Sequence, residues 1–371
     1  VFRTMDGSAT FVWDVLGRVT GEQRLPNLVL VQDLFDTLES QRLLLKPLLL
    51  RHPDLQVLLF NYPGQAGTRF PQQRPGAGQE SLGLLGADDD RLAMNNVWMA
   101  GKLHELLQHV ENQGEMFFSL PFHLVGLGFG ASIAAAFATQ YHAHDQYAGA
   151  LRGLVAVNGY TAADAQLAAI LHSSANAFGN FPAGRPDLPV SYFAKFLFSE
   201  AYLRRVGPAL ALNLLTAVGN AIGVQGRLAL CRGALLSRDL GRRVARMPLP
   251  VVLVQGTENV LVNSSNVDPF LEGRRAHHLW SHQLQLQAST EFSCLGDAGA
   301  QNLAHTLARA NGAMVIWVQA GHEVRQECRR ALLDVLAGCV APAGDLGPRA
   351  FYARPLGEVP KQFVPPAGEG A

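Results

Sequence analysis

Short apolar runs rich in Val, Leu and Ile recur along the chain and alternate with stretches of helical period. A run that is apolar at every position, rather than at every second one, fits a strand buried on both faces. Leu28–Gln32, Val57–Asn61, Phe122–Gly126 and Gly153–Val157 read as such strands, and Ala9–Leu16 as the strand of an opening hairpin. Two more follow late, Pro250–Gln255 and Met314–Gln319. Strands alternating with helices predict a mostly parallel sheet flanked by helices, an α/β fold. Between the two groups, SYFAKFLFSEAYLRRVGPALALNLLTAV and GRLALCRGALLSRDLGRRVARM carry helical periodicity and are separated from what precedes them by the loop FGNFPAGRPDLP. They predict a helical cap inserted into the sheet domain. The expected organisation is a core over 1–160 and 248–340, a cap over 161–247, and a tail over 341–371. That tail holds six prolines in 31 residues, and with the Gly/Pro/Gln-rich Pro71–Asp90 it is expected to be irregular. Phe351, Tyr352 and Phe363 are expected to anchor the tail, on its own domain ahead of the alternative of a neighbouring one.

Composition narrows the functional classes. The chain has 371 residues, enough to bury a large core, and its 30 basic side chains balance 30 acidic ones. No net field draws it to nucleic acid or to an anionic membrane, so a partner must be recognised locally. No window holds some twenty uninterrupted apolar residues, and no basic-then-apolar leader opens the sequence, which points to the cytoplasm. Its start at Val1 rather than Met leaves room for a longer polypeptide. Cys231, Cys294, Cys328 and Cys339 lie far apart with no C-x-x-C pair, which fits buried reduced thiols and neither a metal site nor a disulfide framework. Asn263-Ser264-Ser265 is a glycosylation sequon that would matter only in a secreted chain.

The stretch VGLGFGASIAAAFA, Val125–Ala138, combines a strand end, a glycine turn and a small-residue helix. This is the layout of a nucleophile elbow, in which G-x-S-x-G exposes a serine at the head of a helix. Here the central residue is Gly128. Ser132, one helical turn on, reads as a core residue. After the strand VVLVQ, where the acid of a catalytic triad would stand, the chain has Asn259, with Glu258 pointing elsewhere. His322 occupies the base position after the last strand. After Leu28–Gln32, Gln32 and Asp33 stand in the oxyanion region, which Phe129 would complete with its backbone N–H, and a carboxylate there would oppose a developing oxyanion.

These segments resemble the N-myc downstream-regulated (NDR) family within the α/β-hydrolase fold. Gln32-Asp33 is similar to the family's His-Asp after the third strand, and Tyr62-Pro63-Gly64-Gln65, followed by Phe70-Pro71, to its Pro-Gly-Gln turn. Gly126-Leu127-Gly128-Phe129-Gly130-Ala131 resembles its serine-free elbow. Ser237-Arg238-Asp239-Leu240 and Asn263–Pro269 resemble two further segments. The chain departs from the family at Gln32, at Gly321-His322, and in an extra segment, Leu271–Asn311. The resemblance implies an α/β-hydrolase fold in a family regarded as non-enzymatic.

Gly126, Gly128 and Ala131 also satisfy the dinucleotide fingerprint G-x-G-x-x-G/A, but the next strand ends in Val157-Asn158-Gly159 without the acid that would hold a ribose. Arg227, Arg232, Arg238, Arg242, Arg243 and Arg246 give the end of the cap a basic face, which reads as solvated. The expectation is thus a catalytically inactive domain that needs neither cofactor nor metal and binds a protein partner, with a residual cleft open to a small ligand. An unconventional esterase or hydrolase, and a nucleotide- or ligand-binding module on the Gly126–Gly128 turn, are the alternatives.

Overall fold

The computed structural model describes residues 1–17, 25–68, 94–182, 185, 187–207, 209–210, 213, 222–281 and 296–340. Among them are nine strands: β1 (Phe2–Arg3), β2 (Thr10–Leu16), β3 (Asn27–Val31), β4 (Val57–Asn61), β5 (Phe122–Leu127), β6 (Leu151–Val157), β7 (Val251–Gly256), β8 (Arg275–Ser281) and β9 (Gly312–Val318). They form one sheet in the order β1-β2-β4-β3-β5-β6-β7-β9-β8. β1 and β2 pair antiparallel, and every pairing from β4 to β8 is parallel.

The apolar runs are explained by two cores, one on each face. Val29, Val31, Leu58, Phe60, Leu124, Leu154 and Leu253 pack on one side, and their neighbours Leu28, Leu30, Leu59, Val125, Val155 and Val254 on the other. Successive side chains alternate across the sheet, so two buried faces require an apolar residue at nearly every position. The first face is covered by α2 (Asn96–Asn112) and α3 (Phe129–Tyr141), the second by α1 (Leu38–Arg51) and the last helix (Arg329–Val340).

Among the described residues, the helices Ala165–Asn180, Asp187–Leu197, Glu200–Val206, Val224–Leu235 and Gly241–Arg246 lie between β6 and β7. They join the sheet domain at several points. Asp164 caps the first of them through Leu167 N–H at 2.8 Å and accepts from Asn266 Nδ2 at 3.1 Å. Asn96 holds the segment after Val224–Leu235 through Arg238 N–H and C=O, both at 2.9 Å, and donates to Ser132 Oγ at 3.0 Å. Ser132 is fully buried.

β8 is the one sizeable strand missing from the sequence reading, which left Leu271–Asn311 as an extra segment. It lies at the sheet edge, and its sequence, RAHHLWS, lacks an apolar run. Cys231, Cys328 and Cys339 are buried. No helix of the described residues is long and apolar enough to cross a membrane. Cys294, the loop Pro71–Asp90 and the tail Ala341–Ala371 with its three aromatics lie outside the described residues.

Candidate functional site at the carboxyl edge of the sheet

Parallel strands deliver the residues that follow them to one edge of the sheet, where α/β folds place their ligands. Asp33 follows β3, Gly128 follows β5, Asn158 follows β6, Asn259 follows β7 and His322 follows β9. The structure brings all five together.

The glycine turn is sterically required at three positions. Gly128 precedes α3 with φ 51° and ψ −116°, a conformation that favours glycine. A Cβ on Gly126 would overlap the backbone of Ala131, and one on Gly130 would overlap the carbonyl oxygens of Val31 and Gln32. The strand-to-helix corner is therefore packed tightly against the end of β3. A Cβ on Gly128 would meet something different, the carboxylate of Asp33. The space in front of the elbow is filled from another strand.

Three donors hold that carboxylate. Oδ1 accepts from Leu34 N–H at 2.8 Å and from Phe129 N–H at 2.9 Å, and Oδ2 lies 2.8 Å from His322 Nε2. Phe129 N–H is the donor expected to complete the oxyanion region, and here it meets an anion that the chain itself supplies. Burial alone would push the Asp33 carboxyl up. The charge and hydrogen bond of His322 and the two N–H groups outweigh it, and they hold the carboxyl below the usual value of 3.8. Burial works against charge on His322, but Asp33 beside Nε2, with Glu323 and Asp36 further off, raises it overall.

Asn259 sets the orientation of the ring. Its Oδ1 accepts from Leu261 N–H at 3.0 Å and Val262 N–H at 3.1 Å, which turns Nδ2 toward His322 Nδ1 at 3.2 Å. An amide N–H aimed at Nδ1 favours the neutral ring protonated on Nε2, whose hydrogen points at Asp33. The order of donors is thus the reverse of a triad in which an acid accepts from Nδ1 and Nε2 is left free as a base.

Asn158, read in the sequence only as a missing ribose acid, ties the strand ends together. It adopts φ 49°, donates to the carbonyls of His322 at 2.7 Å and Gly321 at 3.3 Å, and accepts from Gly256 N–H at 2.8 Å. Asn158→Ala removes all three contacts and leaves a β-carbon in a left-handed conformation, so we expect a loss of about 2–4 kcal/mol in a urea titration. A midpoint within error of the parent would show that the loops hold their places without it.

Glu327 fastens the inserted helices to the same loop. It accepts from Ser199 N–H at 2.8 Å, Gly321 N–H at 3.0 Å and Ser199 Oγ. Two residues after Asp33, Phe35 meets Phe178 and Phe193 edge-to-face at 5.5 and 4.9 Å between ring centres. This aromatic cluster carries no motif in the sequence.

Beneath the site lies a second buried charge group. Arg325 pairs with Asp36, and with Glu323 at 2.7 Å, while Gln41 Nε2 donates to Asp36 at 2.9 Å. Burial is the main influence on Asp36 and pushes it up to about 7, against the pull of Arg325. A carboxyl raised on folding contributes stability that is complete below its unfolded value of 3.8 and is lost as the pH climbs through about 7. Asp36→Asn should flatten the fall in Tm between about pH 4 and 7, and an unchanged slope would assign that fall to other groups.

No known protein-family profile matches the chain, and no curated protein sequence does. Its structural relatives are many. A hydrolase from Pseudomonas aeruginosa superposes with TM-score 0.60 at 18% identity, over 90% of this chain and 97% of that one. An α/β-hydrolase enzyme from a Medee basin deep-sea metagenome library gives TM-score 0.59 at 12% identity, over 88% and 93%. A thermophilic esterase from Thermogutta terrifontis gives 0.56 at 16%, over 90% and 93%. None of these comparisons shows the NDR resemblance. They also correct the expectation of a non-enzyme. Structures that share this architecture include esterases and hydrolases, at 10–18% identity, so the fold does not carry the expectation of a non-enzyme. At this level of identity the comparisons establish the architecture: the chain has the α/β-hydrolase fold.

Proposed function

We propose that the protein is an unconventional hydrolase in which the carboxylate of Asp33, held by His322, stands in for the missing elbow nucleophile. The observation that carries this reading is the position of that carboxylate, against Gly128 and hydrogen-bonded to both His322 and the N–H at the head of α3. Asp33 supplies the reacting oxygen, and His322 orients it. Leu34 and Phe129 N–H groups stabilise negative charge on the oxygen they hold. The inserted helices act as a cap, joined to the His322 loop through Ser199 and Glu327.

The nucleotide reading of the glycine turn fares less well, because the helix-head N–H that would meet a phosphate is occupied by Asp33 and Asn158 is engaged in backbone contacts. The NDR resemblance adds that Asp33 stands where that family's Asp follows the third strand. A protein partner on the cap is compatible with hydrolysis beneath it.

Turnover of p-nitrophenyl acetate, p-nitrophenyl hexanoate and 1-bromohexane by the purified chain tests the reading. Hydrolysis of at least one of them, lost in His322→Gln, is expected. Because Asp33 is held below the ordinary carboxylate value, the acid limb of the rate profile should fall below pH 3.8 wherever the fold survives. No turnover, or turnover indifferent to His322, overturns it.

A further inference from the structure

We propose, resting on that reading, that the inserted helices control the Asp33–His322 pair, and that Glu327 is the positioning residue through which they reach His322. One inserted helix touches both halves of the pair. Phe193, within Asp187–Leu197, meets Phe35, two residues after Asp33, at 4.9 Å between ring centres. At the end of the same helix, Leu197 C=O accepts from the N–H of Glu323, the residue after His322, at 2.8 Å. Asp33 and His322 lie 289 residues apart in the chain, and this helix packs against the segments that carry both.

The junction after that helix is bound more closely still. Ser199 caps the next inserted helix, Glu200–Val206, where its Oγ accepts from Tyr202 N–H at 3.1 Å. The same hydroxyl donates to Glu327 Oε2, and Ser199 N–H donates to Glu327 Oε1 at 2.8 Å. Oε1 also accepts, at 3.0 Å, from the N–H of Gly321, the residue before His322. One carboxylate oxygen is thus shared between the inserted helices and the His322 loop. Glu327 and Ser199 are both buried, so neither has bulk water as an alternative partner. No slack separates the two backbones, since a Cβ on Gly321 would come within 2.6 Å of Ser199 N and 2.8 Å of Leu197 O.

His322 is therefore bracketed. Gly321 on one side is tied to Ser199 through Glu327, and Glu323 on the other is tied to Leu197, while Asn158 holds the carbonyls of Gly321 and His322 from the sheet. A shift of the inserted helices away from the sheet pulls both neighbours of His322 against the Asn158 anchor and lengthens the 2.8 Å contact from Nε2 to Asp33 Oδ2. The pair is set when the helices are seated. A substrate that draws them down over the site completes it, and one that props them open disarms it.

The experiment follows the ring ¹⁵N signals of His322 against pH in the full chain, identified by their absence in His322→Gln, together with kcat and KM on p-nitrophenyl hexanoate. Against the cost of burial, Asp33, Glu323 and Asp36 hold the His322 titration above 6.5 in the parent. Glu327→Ala removes no hydrogen bond of Asp33 or of the His322 ring, yet it is expected to lower that titration toward 6.5 and to lower kcat at least about tenfold with KM within about twofold. Ser199→Ala, which deletes one hydroxyl on the helix side, should move both readouts the same way by less, and it keeps the test open if Glu327→Ala does not fold. Glu327→Gln retains an acceptor oxygen for both N–H groups and should restore both readouts. Folded variants with the His322 titration unmoved would make Glu327 a structural fastening alone, which overturns the inference and leaves the hydrolase reading in place. Absence of turnover dependent on Asp33 and His322 overturns the hydrolase reading, and the titration then still decides whether the inserted helices reach His322 through Glu327.

Discussion

Replacing Asp33 by Ala is expected to reduce turnover by up to about a millionfold, the scale of loss when a nucleophile is removed and only binding and backbone donors remain. The fold should weaken at the same time. Leu34 N–H, Phe129 N–H and the Nε2–H of His322 lose an anionic acceptor, and hydrogen bonds to charged groups contribute about 1.5–3 kcal/mol each in favourable cases. A loss of about 2–4 kcal/mol in a urea titration is the expected net effect. The sign of its pH dependence is fixed by the direction of the shift. A carboxyl held below its unfolded value of 3.8 contributes stability that is present above that value and disappears as the pH falls through the folded one. The difference between Asp33→Ala and the parent should therefore shrink on strong acidification. Asp33→Ala retaining more than about a tenth of parental turnover would remove Asp33 from the chemistry.

Restoring a serine to the elbow should have the opposite of its intended effect. Gly128→Ser places a β-carbon at φ 51°, which costs about 1 kcal/mol or more, and drives it into the Asp33 carboxylate. Overpacking of this kind adds about 1–3 kcal/mol, and the displaced carboxylate leaves His322 without its partner. We expect a total loss of about 2–4 kcal/mol and a fall in turnover with it. A variant as stable as the parent, labelled by a fluorophosphonate probe, would mean that the elbow has room for a serine and that Asp33 is free to move aside.

Much of the architecture is legible in the sequence because it rests on local rules. The seven sizeable strands other than β8 follow from apolar runs, and the elbow follows from glycines whose absent side chains leave room for Ala131, Val31 and Gln32. β8 escapes because an edge strand buries less and needs no run of aliphatic residues. The site is harder. Asp33 was legible as an acid at the end of a buried strand and was read as an obstacle to an oxyanion. What the sequence does not carry is its partner, 289 residues away, or the fact that its carboxylate fills the place a serine would take. A signal was present nonetheless. A glycine at the elbow leaves a gap at the carboxyl edge, and an acid at the end of the adjacent strand is close enough to fill it. The reversal at Asn259 was partly readable, because Asn side chains commonly accept from N–H groups two residues on, which fixes where the amide points. Asn158 carries no local signal for its role, because its three contacts reach Gly256, Gly321 and His322 at distant strand ends.

The central claim is that the Asp33 carboxylate occupies the space of the absent elbow side chain, and a double-mutant cycle measures it. Unfolding free energies are compared for the parent, Gly128→Ser, Asp33→Ala and the pair together. If the carboxylate is what the serine meets, removing it relieves the overlap. The pair should then fall short of the sum of the two single losses by a coupling of about 1–3 kcal/mol. Additive losses, with the pair weaker than the parent by the sum of both single losses, would place Asp33 away from Gly128 and contradict the account.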